Sequence, residues 1–180
     1  VEKHFDNLPN GQDEHSPKAS YKGGEFRQEK DLEQVNIILG FESVDFYSDL
    51  HYPTAVYSTV LGSGMSSRLF QEIREKRGLV YSVASYNSPY SDSGLFEVYA
   101  GTGQKEVKEL IPVLCDQLNI SAKNFTSEEL KRAKTKFKAS LIKSQESTSG
   151  RCRSNASKYL MHNKIISHEE IISKIDAVQL

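Results

Sequence analysis

The sequence predicts an α+β domain, a mostly antiparallel sheet with helices packed on one face. Three observations lead to this prediction. Segments typical of strands fall in the first half of the 180-residue chain, and two of them flank a turn as in a hairpin. The second half repeats apolar residues at helical spacing. A chain of this length buries enough surface to form the core of one such domain without disulfides or metals.

The first elements follow a polar stretch. Residues 1–20 contain two prolines and one glycine and are predicted to be a linker. Strands are expected over Glu25–Glu29 and Val35–Phe41, and the second, because it is the more apolar, should lie centrally in the sheet. A helix over Asp49–Leu61 follows, with Pro53 in its first turn, where the missing N–H is tolerated.

Glycines flank the next predicted helix. Gly62-Ser63-Gly64 is expected to be a flexible break before it, and Ser66 or Ser67 would cap its first turn. Arg77 and Gly78 would end it, since a cation suits the negative end of a helix and glycine adopts the left-handed conformation that follows.

A hairpin and further helices complete the prediction. Strands over Leu79–Tyr86 and Leu95–Ala100 are joined by a turn rich in serine and glycine. Pro112 falls inside the next helix and would kink or split it. Capping boxes at Thr126–Glu129 and Ser167–Glu170 mark the starts of two more helices. The first of these has an apolar stripe that we expect to face the core, made of Leu130, Ala133, Phe137 and Leu141.

The overall composition excludes several classes of protein. The net charge is −1, and no apolar run approaches the roughly 18 residues of a membrane-spanning helix. The two cysteines, Cys115 and Cys152, are too few for a disulfide framework or a four-cysteine zinc site, and we expect them to be small buried side chains. We therefore expect a soluble protein with no membrane partner.

The charges are distributed unevenly. Residues 121–164 carry 11 basic and 3 acidic side chains, a charge of +8 that leaves −9 for the rest of the chain. Lys131, Lys134 and Lys138 would share one side of a helix, opposite its apolar stripe. Aromatic residues do not alternate with these basic positions, as they do on many nucleic-acid-binding surfaces. A solvated helix face with no nucleic-acid partner is therefore favoured, and a contact with a polyanion or acidic peptide is the alternative.

The histidines lack the spacing of metal ligands. No H-x-x-E-H pattern occurs among His4, His15, His51, His162 and His168, and the last two are six residues apart, which does not place two ligands on one helical face. Surface histidines are the ordinary explanation of such a set. The chain is therefore predicted to bind no catalytic metal.

One pair of side chains suggests chemistry. Arg74 lies near the end of the predicted helix, and Tyr81 follows seven residues later, near the start of a strand. The turn at Gly78 would fold the strand back, so both side chains could point into one cleft. A guanidinium beside a phenol suits a peptide carbonyl or a developing oxyanion. From the residues alone, a solvated arginine and a half-buried strand tyrosine are the simpler explanation.

A long motif resembles a known family. Leu61–Ser82 has the sequence LGSGMSSRLFQEIREKRGLVYS, which closely resembles the insulinase (pitrilysin) family of zinc metallopeptidases, in particular short bacterial proteins similar to mitochondrial processing peptidase. Other segments resemble the family in the same order. They are Tyr21–Glu25, Glu33–Val35, Leu39–Phe41, Tyr90–Phe96, Glu129–Lys134 and Ile175–Val178.

The resemblance implies a protein of two such domains. Residues 21–180 resemble the second, C-terminal domain, and residues 1–20 resemble the linker that follows the first. The zinc motif of the family belongs to the first domain, so this chain alone should hold no zinc and be inactive. Its implied partners are its own N-terminal domain, a second subunit in a homo- or heterodimer, and a peptide substrate.

The resemblance also assigns roles to residues. In the family, an arginine and a tyrosine of the second domain face the zinc centre across a chamber, and Arg74 and Tyr81 match them in type and spacing. Their implied role is to hold the substrate backbone and stabilise the tetrahedral intermediate. Gly62 and Gly64 would form a hinge that lets the Arg74 helix shift as the chamber closes.

Two alternatives to a peptidase half stay open. One is a non-catalytic scaffold subunit that pairs with an active peptidase, and the other is a polypeptide-binding module without proteolysis. Related structural subunits of respiratory complexes tend to lose the arginine–tyrosine pair, so its presence favours a peptidase. The expected compartment is the cytoplasm or periplasm of a bacterium, with the mitochondrial matrix as the weaker choice.

Overall fold

The computed structural model describes residues 17–28 and 30–180. Most of the linker predicted over residues 1–20 lies outside this range, and residues 17–20 have no regular structure. The strand predicted over Glu25–Glu29 is wrong for residues 25–28, which are exposed and non-regular, while Glu29 lies outside the described residues. An extended segment becomes a strand only where a neighbouring strand accepts its backbone hydrogen bonds, and this one has no such neighbour within the described chain.

An antiparallel sheet forms one layer of the domain. Its strands within the described residues are β1 (Val35–Ser43), β2 (Ser82–Pro89) and β3 (Gly94–Thr102), in the order β1-β3-β2. The predicted hairpin is confirmed, because β2 and β3 pair antiparallel across their turn. The prediction that the first strand lies centrally is wrong, because β3 pairs with both other strands and leaves β1 at an edge.

Helices pack on the inner face of this sheet, as predicted. The helix bounds are α1 (His51–Gly62), a π-helical turn (Phe70–Glu75), α2 (Val107–Ser121), α3 (Ser127–Ser144), α4 (Thr148–His162) and α5 (His168–Ala177). Pro112 lies inside α2, which continues unbroken past it. Across the described residues, none of these helices combines the length and hydropathy that a membrane crossing requires.

The core has two parts, one on each side of α1. The first lies between the inner face of the sheet, α2 and the π-helical turn, and includes Leu61, Leu69, Ile73, Val98, Leu110 and Leu114. The second lies between α1, α3 and α5 and includes Val56, Val60, Ala133, Ile171 and Ile175. The predicted stripe of α3 is confirmed, because all four of its residues belong to this second part or pack against it.

Local capping signals place two of the helices. The Thr126 hydroxyl accepts a hydrogen bond from the Glu129 N–H, and the Glu129 carboxylate accepts one from the Thr126 N–H, so the predicted capping box of α3 is confirmed. At the start of α5, the Ser167 hydroxyl accepts a hydrogen bond from the Glu170 N–H. These caps fix where α3 and α5 begin, and the apolar side chains of both helices then pack in the second part of the core.

Candidate functional site

The segment between α1 and β2 carries the candidate arginine. Its helical part is a π-helix, in which the Lys76 N–H donates to the Gln71 carbonyl at 3.0 Å. The prediction of a cap by Ser66 or Ser67 is wrong, because no side-chain hydrogen bond caps the start of this π-helix. The Ser67 hydroxyl donates to the Gly64 carbonyl at 2.6 Å, within the preceding loop.

The predicted stop at Gly78 is confirmed. This residue has φ +64°, the left-handed region that favours glycine. Its N–H donates to the Arg74 carbonyl at 3.0 Å, and the Leu79 N–H donates to the Ile73 carbonyl at 3.1 Å. The turn therefore ties the end of the π-helix directly to the segment that leads to Tyr81.

Arg74 lies on the exposed side of the π-helix. The carbon at the centre of its guanidinium is 4.8 Å from the centroid of the Phe70 ring. Phe70 is itself partly buried and packs against the first part of the core. Ile73, the preceding residue in the chain, is fully buried. The arginine is thus carried outward by a segment whose other side is anchored in the core.

Tyr81 is fixed by its backbone and exposed at its side chain. Its N–H donates to the Gly101 carbonyl at 2.8 Å, and the residue is 65% exposed. The strand predicted from Leu79 begins only at Ser82. Leu79 and Val80, which precede it, are buried in the first part of the core. Among the described residues, neither the Arg74 nor the Tyr81 side chain forms a hydrogen bond or an ion pair, so the donors of both are available to a ligand.

Sequence reasoning missed the most extensively bonded side chain near the site. Arg68 precedes the π-helix, and its Nε and Nη2 donate to the two Glu129 carboxylate oxygens at 2.5 and 2.6 Å. Its Nη1 and Nη2 also donate to the Asn124 side-chain and backbone oxygens, each at 2.7 Å. The two partners lie 56 and 61 residues away. No spacing rule connects residues so distant in sequence.

This ion pair changes the acidity of both groups. The hydrogen bonds from Arg68, followed by those from Thr126, lower the pKa of Glu129 to about 2, against the opposing effect of burial. The hydrogen bond to Glu129 raises the pKa of Arg68. Both side chains are mostly shielded from water. The pair therefore stays charged at all physiological pH values and holds the N-terminal side of the Arg74 segment on α3.

The loop predicted as a flexible break is held by its neighbours. A side chain at Gly62 would overlap the backbone nitrogen of Ser85, so glycine lets α1 approach β2 closely. Gly64 has φ +81°, which also favours glycine. The Lys136 ammonium donates to the Ser63 carbonyl between them. The hinge role of Gly62 and Gly64 stays a prediction beside this packing role.

Replacing Gly62 with alanine is expected to destabilise the chain. The added methyl group would force α1 away from β2, and forcing extra carbon into a packed core costs about 1–3 kcal/mol. Urea unfolding of the purified chain measures this cost. Gly40→Ala is the matched control, because a side chain there meets nothing within 4 Å. Equal stability of the two variants would contradict the packing role of Gly62.

The lysines of α3 are not a simple solvated face. The Lys138 ammonium lies 2.8 Å from the Asp176 carboxylate, and Lys134 donates to the backbone carbonyls of Asp176 and Val178. The predicted solvated face is therefore wrong at these two positions, while Lys131 is exposed as predicted. Lys134 and Lys138 of α3 thus bind the C-terminal end of α5. The excess of basic residues in this part of the sequence does not predict such contacts.

The predicted burial of cysteines and exposure of histidines are both revised. Cys115 and Cys152 are exposed, since each lies on the outer side of its helix. His51 is half-buried, and burial, followed by the nearby His162 and Lys174, lowers the pKa of its imidazole. His4 and His15 lie outside the described residues. Within the described ranges no three histidine, cysteine or acidic side chains come together as metal ligands, so these residues do not fit a zinc ion.

The outer face of the sheet is exposed and partly apolar. Ile38 and Tyr86 are 63% and 53% exposed, and Leu95 shares their face because of the antiparallel register. Backbone groups along the free edges of β1 and β2 have no partner strand in the described chain. Such a face can contact apolar side chains of an extended polypeptide, and such edges can pair with its backbone by strand addition.

Comparison with known proteins decides the family. The profile described as "Peptidase M16 inactive domain" matches residues 1–137. The chain belongs to the peptidase M16 family. The resemblance carried by Leu61–Ser82 is thereby confirmed. The matched M16 domain is the inactive type, found in zinc protease-like proteins.

Curated M16 relatives are longer than this chain. An "Uncharacterized zinc protease" from Rickettsia bellii is 39% identical over 176 residues, which are 97% of this chain and 43% of the relative. The "Uncharacterized zinc protease YmxG" of Bacillus subtilis is 37% identical over 164 residues, 91% of this chain and 40% of the relative. The chain therefore spans less than half the length of these relatives.

Solved structures share the fold. A protease from Helicobacter pylori matches with a TM-score of 0.76 over 99% of this chain and 45% of that one. A peptidase M16 inactive domain from Pseudomonas fluorescens matches at 0.69 over 81% and 35%, and a chain of Complex III2 from Candida albicans at 0.75 over 84% and 38%. All three are 23% identical in sequence, so they confirm the α+β architecture alone.

Proposed function

We propose that this domain is the substrate-binding half of an M16 zinc metalloendopeptidase, and that Arg74 and Tyr81 contact the peptide. The observation that carries the proposal is the exposure of both side chains at the two ends of the turn closed by Gly78. Relatives named as zinc proteases support the reaction class. The substrate would be a peptide or a presequence-like segment, enclosed between this domain and another.

The chemistry assigned to the pair is charge stabilisation. The guanidinium of Arg74 offers a fork of N–H donors, and the Tyr81 hydroxyl offers one more. Both suit a peptide carbonyl oxygen, which gains negative charge as the carbon becomes tetrahedral. The tyrosine backbone is held by its hydrogen bond to Gly101, which limits the positions that the hydroxyl can reach. The residues of this domain thus bind and orient the peptide substrate. The metal that activates water would belong to the other domain.

The proposed assembly follows because this domain would bind the peptide and another domain would hold the zinc. The domain would face an N-terminal zinc-binding domain of the same protein, and a second subunit would complete a homo- or heterodimer. The exposed face of the sheet, with Ile38 and Tyr86, offers apolar contacts for an unfolded peptide. A bacterial cytoplasm or periplasm is the proposed compartment.

The experiment compares residues 1–180 with the full-length protein. We expect purified 1–180 to contain no stoichiometric zinc and to leave an unfolded quenched-fluorescence peptide intact. The full-length protein should cleave that peptide, lose activity with a chelator and regain it with zinc. Metal analysis of both preparations is the matched measurement. Stoichiometric zinc in 1–180, or a full-length protein without zinc-dependent cleavage, would contradict the proposal.

A second candidate is a scaffold subunit that pairs with an active peptidase. The match of residues 1–137 to the inactive type of M16 domain favours it, since such a domain has no catalytic centre of its own. The two candidates differ in one observable feature. A peptidase requires an H-x-x-E-H pattern encoded upstream of Val1 in the same protein, whereas a scaffold does not.

A further inference from the structure

The contact between Phe70 and Arg74 has a specific geometry. The guanidinium carbon lies 4.8 Å from the ring centroid, within the distance of about 6 Å at which an aromatic face attracts a cation. The two residues are four positions apart, so they are neighbours on one side of the helix. The contact therefore belongs to the π-helical turn itself and needs no other element.

The ring is anchored on its other side. Phe70 is partly buried and packs against the first part of the core. Its neighbour Leu69 is fully buried, as is Ile73 one turn later. Packing against the core on that side restricts the movement of the ring. Phe70 is thus a rigid support for a flexible side chain.

No carboxylate among the described residues forms an ion pair with Arg74, so its partner is the Phe70 ring. Glu72 accepts a hydrogen bond from Lys76 in the next turn, so that carboxylate is already paired. A carboxylate partner would occupy the N–H donors of the guanidinium, whereas a contact with a ring leaves those donors free. Arg74 is therefore oriented without using the donors that the proposed function requires.

We propose that Phe70 is a positioning residue that holds the Arg74 guanidinium with its N–H edge free for the substrate carbonyl. The inference rests on the proposed function of Arg74. It adds that the arginine is pre-oriented before substrate binds, which lowers the cost of ordering a long side chain in the reaction. The π-helical turn supplies the geometry, as such turns do at other functional sites.

The test is a double-mutant cycle in the full-length protein. We expect Phe70→Leu to lower kcat for peptide cleavage about 3- to 10-fold with a smaller change in KM, because loss of one exposed cation–π contact and some misplacement both weaken the transition-state contact. Phe70→Tyr, which keeps the ring, should retain the wild-type rate. In an Arg74→Ala background, Phe70→Leu should have no further effect.

Two controls separate positioning from folding. Phe41→Leu removes an exposed ring of β1, and it should leave kcat unchanged. In NMR spectra of residues 1–180, the Arg74 side-chain protons should be shifted upfield by the Phe70 ring, in wild type and Phe70→Tyr but not in Phe70→Leu. If Phe70→Leu does not fold, Phe70→Met replaces it in both measurements.

The outcomes distinguish this inference from the proposed function. If Arg74→Ala impairs cleavage but Phe70→Leu does not, or if Phe70→Leu impairs cleavage equally in the Arg74→Ala background, positioning by Phe70 is wrong. An absent ring-current shift in the wild-type chain would also overturn it. If Arg74→Ala itself cleaves at the wild-type rate, the proposed function of Arg74 is wrong, whatever the NMR result.

Discussion

Arg74→Ala and Tyr81→Phe are each expected to lower kcat for peptide cleavage by the full-length protein about 10²- to 10³-fold. This is the usual effect of removing one preoriented oxyanion donor. The loss should appear mainly in kcat, since the contact strengthens as the carbonyl oxygen gains charge and contributes less to ground-state binding. Both side chains are exposed and outside the core, so neither replacement should lower the free energy of unfolding by much more than about 0.5 kcal/mol.

The double variant makes the prediction sharper. If both side chains bind the same oxygen, the combined loss should be less than the product of the single losses, because residues acting together are not additive. Arg153→Ala and Tyr159→Phe are matched controls of the same types, since both residues are exposed on α4, outside the candidate site. Unchanged kinetics in both Arg74→Ala and Tyr81→Phe would remove the role assigned to the pair.

The turns, the helix cap and the hairpin that depend on adjacent residues were predicted from the sequence. The left-handed turn at Gly78 and the capping box at Thr126 each depend on a few consecutive residues, so their chemistry is visible in the sequence. The hairpin of β2 and β3 follows from a turn between two short strands in the same way. These are also the features that place Tyr81 and the start of α3.

Contacts between residues that are distant in the sequence were not predicted. β1 is apolar enough for a central strand. It lies at an edge because β3, which already pairs with β2, also pairs with β1 and so takes the central position. The contacts of Arg68 with Glu129 and of Lys136 with Ser63 join residues 61 and 73 positions apart. A single sequence contains no signal for such pairs. The candidate site itself was predicted through a family resemblance, because an exposed arginine and tyrosine are unremarkable by residue type alone.

Breaking the Arg68–Glu129 ion pair is expected to give the largest loss of stability among charge variants of this chain. Arg68→Ala and Glu129→Ala should each lower the free energy of unfolding by about 3 kcal/mol, the low end for one partner of a buried pair left uncompensated. Both side chains are mostly shielded from water and form two parallel hydrogen bonds. Urea unfolding at pH 7 measures the loss. Because the partners share these bonds, the double variant should lose less than the sum.

The pH dependence of unfolding tests whether the charged Glu129 carboxylate, which accepts hydrogen bonds from Arg68 and Thr126, stabilises the fold. The pKa of Glu129 is about 2 in the folded chain against an ordinary value of 4.5, so the unfolded state binds the proton more readily. The contribution of Glu129 to stability is therefore complete above about pH 4.5 and is lost as the pH falls towards 2. The free energy of unfolding of Glu129→Gln should accordingly fall less steeply across that range than that of wild type.

A second ion pair on the same helix is the matched control. Arg132 and Glu128 are 3.3 Å apart on the first turns of α3, and their side chains are 54% and 79% exposed. Exposed pairs contribute about 0–1 kcal/mol, so Glu128→Ala should change stability little at any pH. If Glu129→Ala costs no more than Glu128→Ala, the ion pair does not hold the Arg74 segment on α3. A large cost confined to Glu129→Ala and Arg68→Ala would instead make this contact the anchor from which the candidate site extends.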